Sequence, residues 1–419
     1  MRSMKVKRWR VRLARLGAPE VGVSGARASA NTRRVAVFAP LFPPAYRGGG
    51  PIRSTEALVQ KLPHGVSAAV LTSDKDLGAS SRLAVQRNAW TKKSGGDVYY
   101  ASLDRPVDLM NAYIRLRRTR PDVLYFNSFF HARLSILPQF LWRVGFWGGA
   151  IRIIAPRGEF GAGALGRRNF KKRAFIGLYR GFSFDKRVTW HASSDHEAAD
   201  IRSVWGDQSR ILISQNETML PQVAQAPPAG PALGGPVNAV FLGRLVEHKG
   251  LLIALGALSR VDQSVRLNIY GAEEDASYVA DCRTAARALP TNVEVKFWGP
   301  IQPADVRETL SKHDVLVMPT AGENFGHVIA ESLSVSCPVI CSDNTPWSEV
   351  LRGGGGWVVS DRTVEAWVGA LSAYGEYSAV ARSLHRRRAG AAYEEWKVRT
   401  AGPHLFSMFD QLCDSQVER

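Results

Sequence analysis

Short β-branched apolar runs alternate with longer amphipathic stretches along this chain, and the pattern occurs twice. The first series is RVAVFAP (34–40), SAAVLTS (67–73), DVLYFN (122–127), IRIIAP (151–156) and RILIS (210–214). Runs this short suit strands buried on both faces, and the amphipathic intervals supply the crossover helices that parallel strands need. The segment MLPQVAQAPPAGPALGGP (219–236) is dense in Pro and Gly and breaks the alternation. A second series follows: VNAVFLG (237–243), VRLNIYG (265–271), VEVKFWG (293–299), DVLVMP (314–319) and PVICS (338–342). The pattern predicts an α/β protein with two parallel-sheet domains, 34–218 and 237–394, joined by a linker over 219–236 and facing across a cleft. The last segment, 395–419, is expected to be a helix packing back on the first domain. Ligands of such sheets bind beyond the carboxyl ends of the strands.

Charge narrows the partners. Half of the net charge of +18 lies in the first 34 residues, where Arg2, Lys5, Lys7, Arg8, Arg10, Arg12, Arg15, Arg27, Arg33 and Arg34 face only Glu20. No apolar core follows these charges, so residues 1–33 are not expected to act as a secretory signal. They are expected to be a disordered tail attracted to an anionic membrane surface. With only Trp9 as an interleaved aromatic and no recognition module in the body, nucleic acid is not expected as a partner. The most apolar stretch, LSILPQFLWRVGFWGGAI, carries Arg143 at its middle and is expected to be buried structure rather than a membrane span. Four cysteines fit neither a disulfide framework nor a zinc ribbon, and a reducing, cytoplasmic location is expected.

The chemistry concentrates after DVLVMP, in TAGENFGHVIAES (320–332). A helix is expected over 326–336, with Ile329 and Leu333 toward the core and His327 and Glu331 on another side. Free N–H groups at a helix start favour phosphate, whereas Glu323 and Glu331 suit hydroxyls, from which a carboxylate accepts hydrogen bonds. A ligand with a central diphosphate and a sugar at either end, a nucleotide sugar, satisfies both preferences. FLGRLVEHKG (241–250) places Arg244 and Lys249 at the same sheet edge, where they can balance the charge of a departing diphosphate. In the first domain YRGGGPIRS (46–54) sets glycines between a strand and a helix starting near Ser54, so the backbone at Gly49 and Gly50 can approach the diphosphate from the opposite wall. Arg157 and Glu159, in APRGEF, follow a strand end and suit either ligand contact or loop scaffolding; His191 and Glu197, in HASSDHEAAD, suit scaffolding.

Together GRLVEHKG, GENFGHVIAESL, CPVICSDNTPW, PPAYRGGGPIRS, LTSDKDLG, APRGEF and HASSDHEAADI resemble the retaining GT-B glycosyltransferases of family 4, of the bacterial exopolysaccharide and lipopolysaccharide type. The resemblance runs from Arg33 to the C-terminus, and its most specific element is the pair Glu323 and Glu331, eight residues apart. It implies two Rossmann-like domains and a metal-independent transfer that retains anomeric configuration. Glu323 would meet the donor sugar and Glu331 the ribose, with Asn324, Phe325, Gly326 and His327 lining the donor site and Arg244 and Lys249 on the diphosphate. Where many relatives carry His-Gly after the third strand, this chain has Asn127 and Ser128, making Asn127 a candidate sugar contact; where they carry Asn-Gly, it has Asn216 and Glu217. The implied acceptor is a glycan, lipid-linked by analogy, and the implied location is the inner face of the cytoplasmic membrane. No cofactor is expected besides the nucleotide-sugar substrate.

Other patterns point elsewhere. GAGALG (161–166) is a literal GxGxxG, but four residues separate it from the strand end at Pro156, so a dinucleotide-dependent oxidoreductase is disfavoured. Asp74 and Asp76 form a DxD pair, the metal ligands of another glycosyltransferase class, yet lie far in sequence from the other candidates. A catalytically silent sugar-nucleotide binder would fit the fold, but Arg244, Lys249, Glu323 and Glu331 are all present.

Overall fold

A computed structural model describes residues 32–161, 165, 170–182, 184–227 and 235–408. Most of the basic tail, most of GAGALG, residues 228–234 of the linker and residues 409–419 lie outside the described residues.

The first sheet contains β1 (Arg33–Phe38), β2 (Val66–Ser73), β3 (Trp90–Lys93), β4 (Gly96–Ala101), β5 (Val123–Phe126), β6 (Ile151–Ile154), β7 (Val188–Ala192) and β8 (Ile211–Ile213). Their order is β3-β4-β2-β1-β5-β6-β7-β8. β1 sits centrally, pairing Val35 with Ala68 on one side and Val123 on the other. Its neighbours are parallel, but β3 pairs antiparallel with β4, closing that edge as a hairpin rather than extending the expected all-parallel sheet. The turn between them contains Gly95, whose φ of 87° falls in the left-handed region open to glycine.

Helices α1 (Gly50–Gln60), α2 (Pro106–Arg118), α3 (Leu137–Arg143), α4 (Phe170–Gly181) and α5 (Asp195–Trp205) cover this sheet. Leu109, Tyr113 and Leu116 of α2, Ile176 and Tyr179 of α4, and Ala198 and Ile201 of α5 share one core with Phe38, Phe126 and Trp190. Leu58 and Val59 of α1 pack on the opposite face with Val35, Val70 and Tyr125. α1 begins four residues before the expected Ser54, because Pro51 suits the first helical turn, where its missing N–H costs nothing.

The second sheet is wholly parallel, β9 (Val237–Leu242), β10 (Val265–Tyr270), β11 (Val293–Gly299), β12 (Val315–Met318), β13 (Val339–Ser342) and β14 (Gly356–Val359), in the order β11-β10-β9-β12-β13-β14. α6 (Leu251–Leu258), α7 (Ala276–Arg287), α8 (Val306–Ser311), α9 (His327–Leu333), α10 (Ser348–Val350), α11 (Val364–Gly375) and α12 (Ala379–Arg399) complete the domain. α6, α7 and α11 bury one face of the sheet, and α8, α9 and α12 the other.

The expected helix over 395–419 is interrupted after Arg399 among the described residues, and its stretch 409–419 lies outside them. α12 stays with the second domain, burying Ala389, Ala392, Tyr393 and Trp396 in its core. Thr400 caps it, and Gly402 and Pro403 prevent its continuation. The return is made by a short 3-10 turn, Leu405–Met408, whose Leu405 and Phe406 enter the first-domain core, while His404 Nε2 lies 3.0 Å from the Leu58 carbonyl.

Candidate active site

Two loops at the carboxyl ends of adjacent strands build the second-domain wall. After β9 the chain passes Arg244, forms a 3-10 turn over Glu247–Lys249 and reverses at Gly250. Gly250 has φ 75°, and a Cβ there would stand 2.1 Å from the Pro319 carbonyl oxygen, so only glycine lets this loop lie on the one after β12. Ala321 N–H donates to the His248 carbonyl at 2.7 Å, tying the two loops together. The pairing sets Lys249 Nζ 2.5 Å from Glu323 Oε1, with 16% and 11% of the two side chains exposed. Glu323 is held from behind, its N–H donating to the Asn344 carbonyl at 3.2 Å. Arg244 stands apart from this pair: it is half-exposed and gives two hydrogen bonds to Glu274, at 2.8 and 3.0 Å. His248 lies between the two ion pairs; burial pushes its pKa down, Lys249 and Arg244 add to this, and Glu323 and Glu274 oppose it. No sequence signal separated His248 from its neighbours.

Gly326, at φ 77°, turns the chain into α9, with Trp347 Nε1 donating to the Phe325 carbonyl beneath it. α9 ends at Leu333, short of the expected Ser336, because Ser336 adopts φ 56° and Pro338 follows. Glu331 was expected on a side away from the core; it is nearly buried, against the other domain. Arg53 of α1 pairs with it, and that arginine's own pKa is lowered, chiefly by burial. His327 meets the same helix, its Nε2 2.7 Å from Ser54 Oγ. Its ring explains Gly50, where a Cβ would stand 2.6 Å from the ring Cδ2. Arg53 and Ser54 were within the glycine-loop motif, but nothing in sequence linked them to α9.

The first-domain wall is a hydrogen-bonded scaffold. Gly49, at φ 71°, precedes α1, and Asp76 fixes the turn before it by accepting from the N–H groups of Tyr46 and Arg47 at 3.1 and 3.2 Å. Asp74 binds Arg82 and Ser102 Oγ, so the DxD pair serves the loops here. Arg157, itself at φ 54°, spends its guanidinium on protein partners: Nε donates to Asn127 Oδ1 at 2.7 Å, Nη2 to the Tyr125 hydroxyl at 2.8 Å, and Nη1 to Asn216. Tyr125 continues to His191 Nδ1 at 2.9 Å, and His191 Nε2 donates to the Ser214 carbonyl at 2.8 Å. Asn127 Nδ2 donates to the Pro51 carbonyl at 3.3 Å, so this buried chain positions the start of α1. Glu159 accepts from Ser128 Oγ at 2.8 Å and Phe129 N–H at 2.5 Å; Glu197 accepts from Gly158 and Ser193 N–H, both at 2.8 Å. Ser193 Oγ in turn lies 3.3 Å from Asn324 Nδ2 across the domain boundary.

The structure thus brings Lys249, Glu323, Asn324, Phe325, Gly326, His327 and Glu331 to one edge of the second sheet, with Gly50 against His327 and Gly49 in the turn before it, its own Cβ position open. It leaves Arg244 on a neighbouring carboxylate, and Asn127 and Arg157 inside the first-domain wall. Among the described residues no cluster of three or more His, Cys, Asp or Glu has the arrangement of a metal site.

Residues 236–374 match the family model described as glycosyl transferases group 1. Alpha-maltose-1-phosphate synthase of Mycobacterium tuberculosis is 32% identical over 141 residues, 30% of this chain and 36% of that protein. D-inositol 3-phosphate glycosyltransferase of Corynebacterium urealyticum is 27% identical over 43% of this chain and 46% of its own length. Phosphatidyl-myo-inositol mannosyltransferase of M. tuberculosis is 34% identical over 28% and 31%. The chain therefore spans less than half the length of these curated relatives. Solved structures share the whole architecture: sucrose-phosphate synthase of Thermosynechococcus elongatus superposes with a TM-score of 0.66 at 15% identity, covering 91% of this chain and all of that one. HepE of Anabaena, in complex with UDP and glucose, gives 0.65 at 14%, with the same coverage.

Proposed function

We propose that this chain, whose second domain is a group 1 glycosyl transferase domain in a two-sheet GT-B architecture, transfers a sugar from a nucleotide-diphosphate sugar to a glycan acceptor with retention of configuration. The observation that carries the reading is the partly buried Lys249–Glu323 pair, 2.5 Å apart where the β9 and β12 loops meet, inside the segment that matches the family. The solved relative HepE binds UDP and glucose, and the glycosyltransferase WaaG, of the same fold, is involved in lipopolysaccharide biosynthesis.

In this reading the diphosphate takes Lys249 from Glu323. The ammonium then stabilises the leaving charge in a site shielded from water, and the freed Glu323 carboxylate accepts hydrogen bonds from the donor sugar. Glu331 takes the ribose hydroxyls once Arg53 gives it up, and Arg244 adds charge if it swings from Glu274. The bond from the anomeric carbon to the phosphate oxygen breaks, and the acceptor oxygen bonds to the same face. The acceptor proton passes to the departing phosphate, so no dedicated side-chain base is required. Two cations at the diphosphate supply the charge balance, so the reaction is expected to proceed in EDTA. By analogy with relatives whose names specify lipid or cell-surface glycans, the acceptor is lipid-linked and the site of action the cytoplasmic membrane face, with the basic tail as an accessory contact.

The direct test is Lys249→Ala. Removing one such donor typically costs about 3–4 kcal/mol of barrier, about 10²–10³ in rate, while the chain stays folded with stability lowered by about 1–3 kcal/mol because Glu323 loses its partner. Near-normal turnover would reject the role, and turnover abolished by EDTA would reject metal independence.

A further inference from the structure

The two segments by which the chain leaves the first domain and returns to it run side by side. Gln215, just after β8, meets Thr400, at the end of α12. With its amide turned to suit both partners, Gln215 donates to Thr400 Oγ1 at 2.8 Å and accepts from Trp396 Nε1 at 3.2 Å. Beside this tie lies a cavity of about 730 Å³, within the ~300–1,000 Å³ of small-molecule sites. Both domains wall it: the start of α5 and the segment 213–218 on one side, Phe325, Trp347 and the end of α12 on the other. None of Lys249, Glu323 and Glu331 lines it, so it is distinct from the donor site.

Its lining has one chemical character. Ser214, Asn216 and Thr218 alternate along the segment after β8, as same-side positions of an extended chain do, and are only 8%, 7% and 7% exposed. Arg157 takes the Asn216 side-chain oxygen. Among the described residues none hydrogen-bonds the Ser214 hydroxyl, the Thr218 hydroxyl or the Asn216 amide nitrogen, and the three open on the cavity. Buried polar groups are nearly always partnered, so these await a ligand or ordered water. The charges around them are already committed. Lys61 pairs with Glu217 at 3.3 Å, Arg399 with Glu349 at 3.6 Å, and Lys397 lies over the Trp396 ring at 5.9 Å. Asp195 sits in the first turn of α5, where the helix dipole balances it. Phe325 and the rings of Trp347 and Trp396, 4.5 Å apart, supply an apolar floor.

We propose that this cavity is a second ligand site and that it takes a short neutral oligosaccharide. Hydroxyl and amide groups match sugar hydroxyls, which both donate and accept, and the apolar floor suits the C–H face of a pyranose. An anionic ligand would have to draw a cation away from Glu217 or Glu349, leaving a carboxylate unpaired, whereas a neutral sugar disturbs neither pair. Because the walls belong to both domains and to both crossing segments, a bound saccharide holds the domains together. The site requires neither a nucleotide-sugar donor nor Lys249, so it is independent of the proposed transfer reaction.

The test titrates the full chain with maltotriose, cellotriose and mannotriose, and with trigalacturonate as an anionic counterpart, followed by saturation-transfer NMR. At least one neutral trisaccharide should bind about tenfold tighter than trigalacturonate or better. Ser214→Ala combined with Thr218→Val removes two hydroxyl partners and should weaken that binding about tenfold or more. Ala401→Trp, which adds bulk at the exposed rim, should weaken it at least as far. Binding of no neutral trisaccharide, which would leave the hydroxyls to water, would overturn the proposal. So would preference for trigalacturonate, or wild-type affinity in either variant, which would place the sugar elsewhere. Lys249→Ala should bind the trisaccharide as the wild type does, and thermal protection of the cavity variants by UDP, GDP or ADP should match the wild type. Those two controls separate failure here from failure of the transferase reading.

Discussion

Arg53→Ala should lower stability and tighten nucleotide binding. Arg53 and Glu331 pair across the domain boundary with 26% and 9% of their side chains exposed. Stripping the partner from a fixed, buried carboxylate costs about 3–5 kcal/mol. Here the partners sit on separate domains at a cleft rim that water can enter, so the smaller penalty of an unsatisfied polar group applies, about 1–3 kcal/mol. For domains of this size each kcal/mol moves Tm by about 2–4 °C, giving a fall of about 2–12 °C. Binding moves the other way. If ribose hydroxyls take Glu331, the wild-type chain must first break a charge-assisted contact of about 1.5–3 kcal/mol. The variant is spared that step, so Kd should fall about 10–100-fold. Calorimetric titration with whichever of UDP, GDP or ADP raises the wild-type Tm supplies the affinity, and scanning calorimetry the stability. A variant that binds more weakly would show that Arg53 is itself a nucleotide ligand; unchanged affinity would show that Glu331 is not the ribose contact.

Gly250→Ala should be severely destabilising, because its φ of 75° is strained for alanine and its Cβ would meet the Pro319 carbonyl at 2.1 Å; a melting curve like the wild type's would refute the packing of the two loops. Burial, with the nearby Arg157 charge, pushes the His191 imidazole down to about 3, from the usual value near 6.5. Below pH about 6.5 the unfolded chain then binds a proton that the native chain refuses, so stability should fall toward pH 3 by up to about 1.4 kcal/mol per unit and be flat in this group above pH about 6.5. Comparing urea unfolding at pH 7 and pH 5, His191→Gln should lose about 2 kcal/mol of the wild-type difference; an unaltered difference would place that acid sensitivity elsewhere.

What the sequence could express was local. Strands such as VAVF of β1 and VLVM of β12 announce themselves because both faces are buried and every position must be apolar. The glycine loop before α1 was legible because positive φ leaves few alternatives, as at Gly49, whereas the role of Gly250 emerged only from the structure. Contacts between domains were not legible. Helical periodicity assigned Glu331 a side away from its own core, correctly, but could not say that Arg53 waits there. Arg244 was placed at the right sheet edge, yet its partner Glu274 comes from the next strand's loop, a choice that charge alone does not resolve. Gly50 was read as room for a diphosphate, whereas in this structure it is room for His327. The antiparallel β3, with Lys92 and Lys93 half of its four residues, lacks the apolar run by which the other strands were found.

The most direct test is a structure of the chain bound to an intact nucleotide sugar. Lys249 Nζ should leave its 2.5 Å contact with Glu323 and lie about 3 Å from a diphosphate oxygen, with Glu323 on the sugar and Glu331 on the ribose. A donor bound elsewhere, with the Lys249–Glu323 pair intact, would contradict the account.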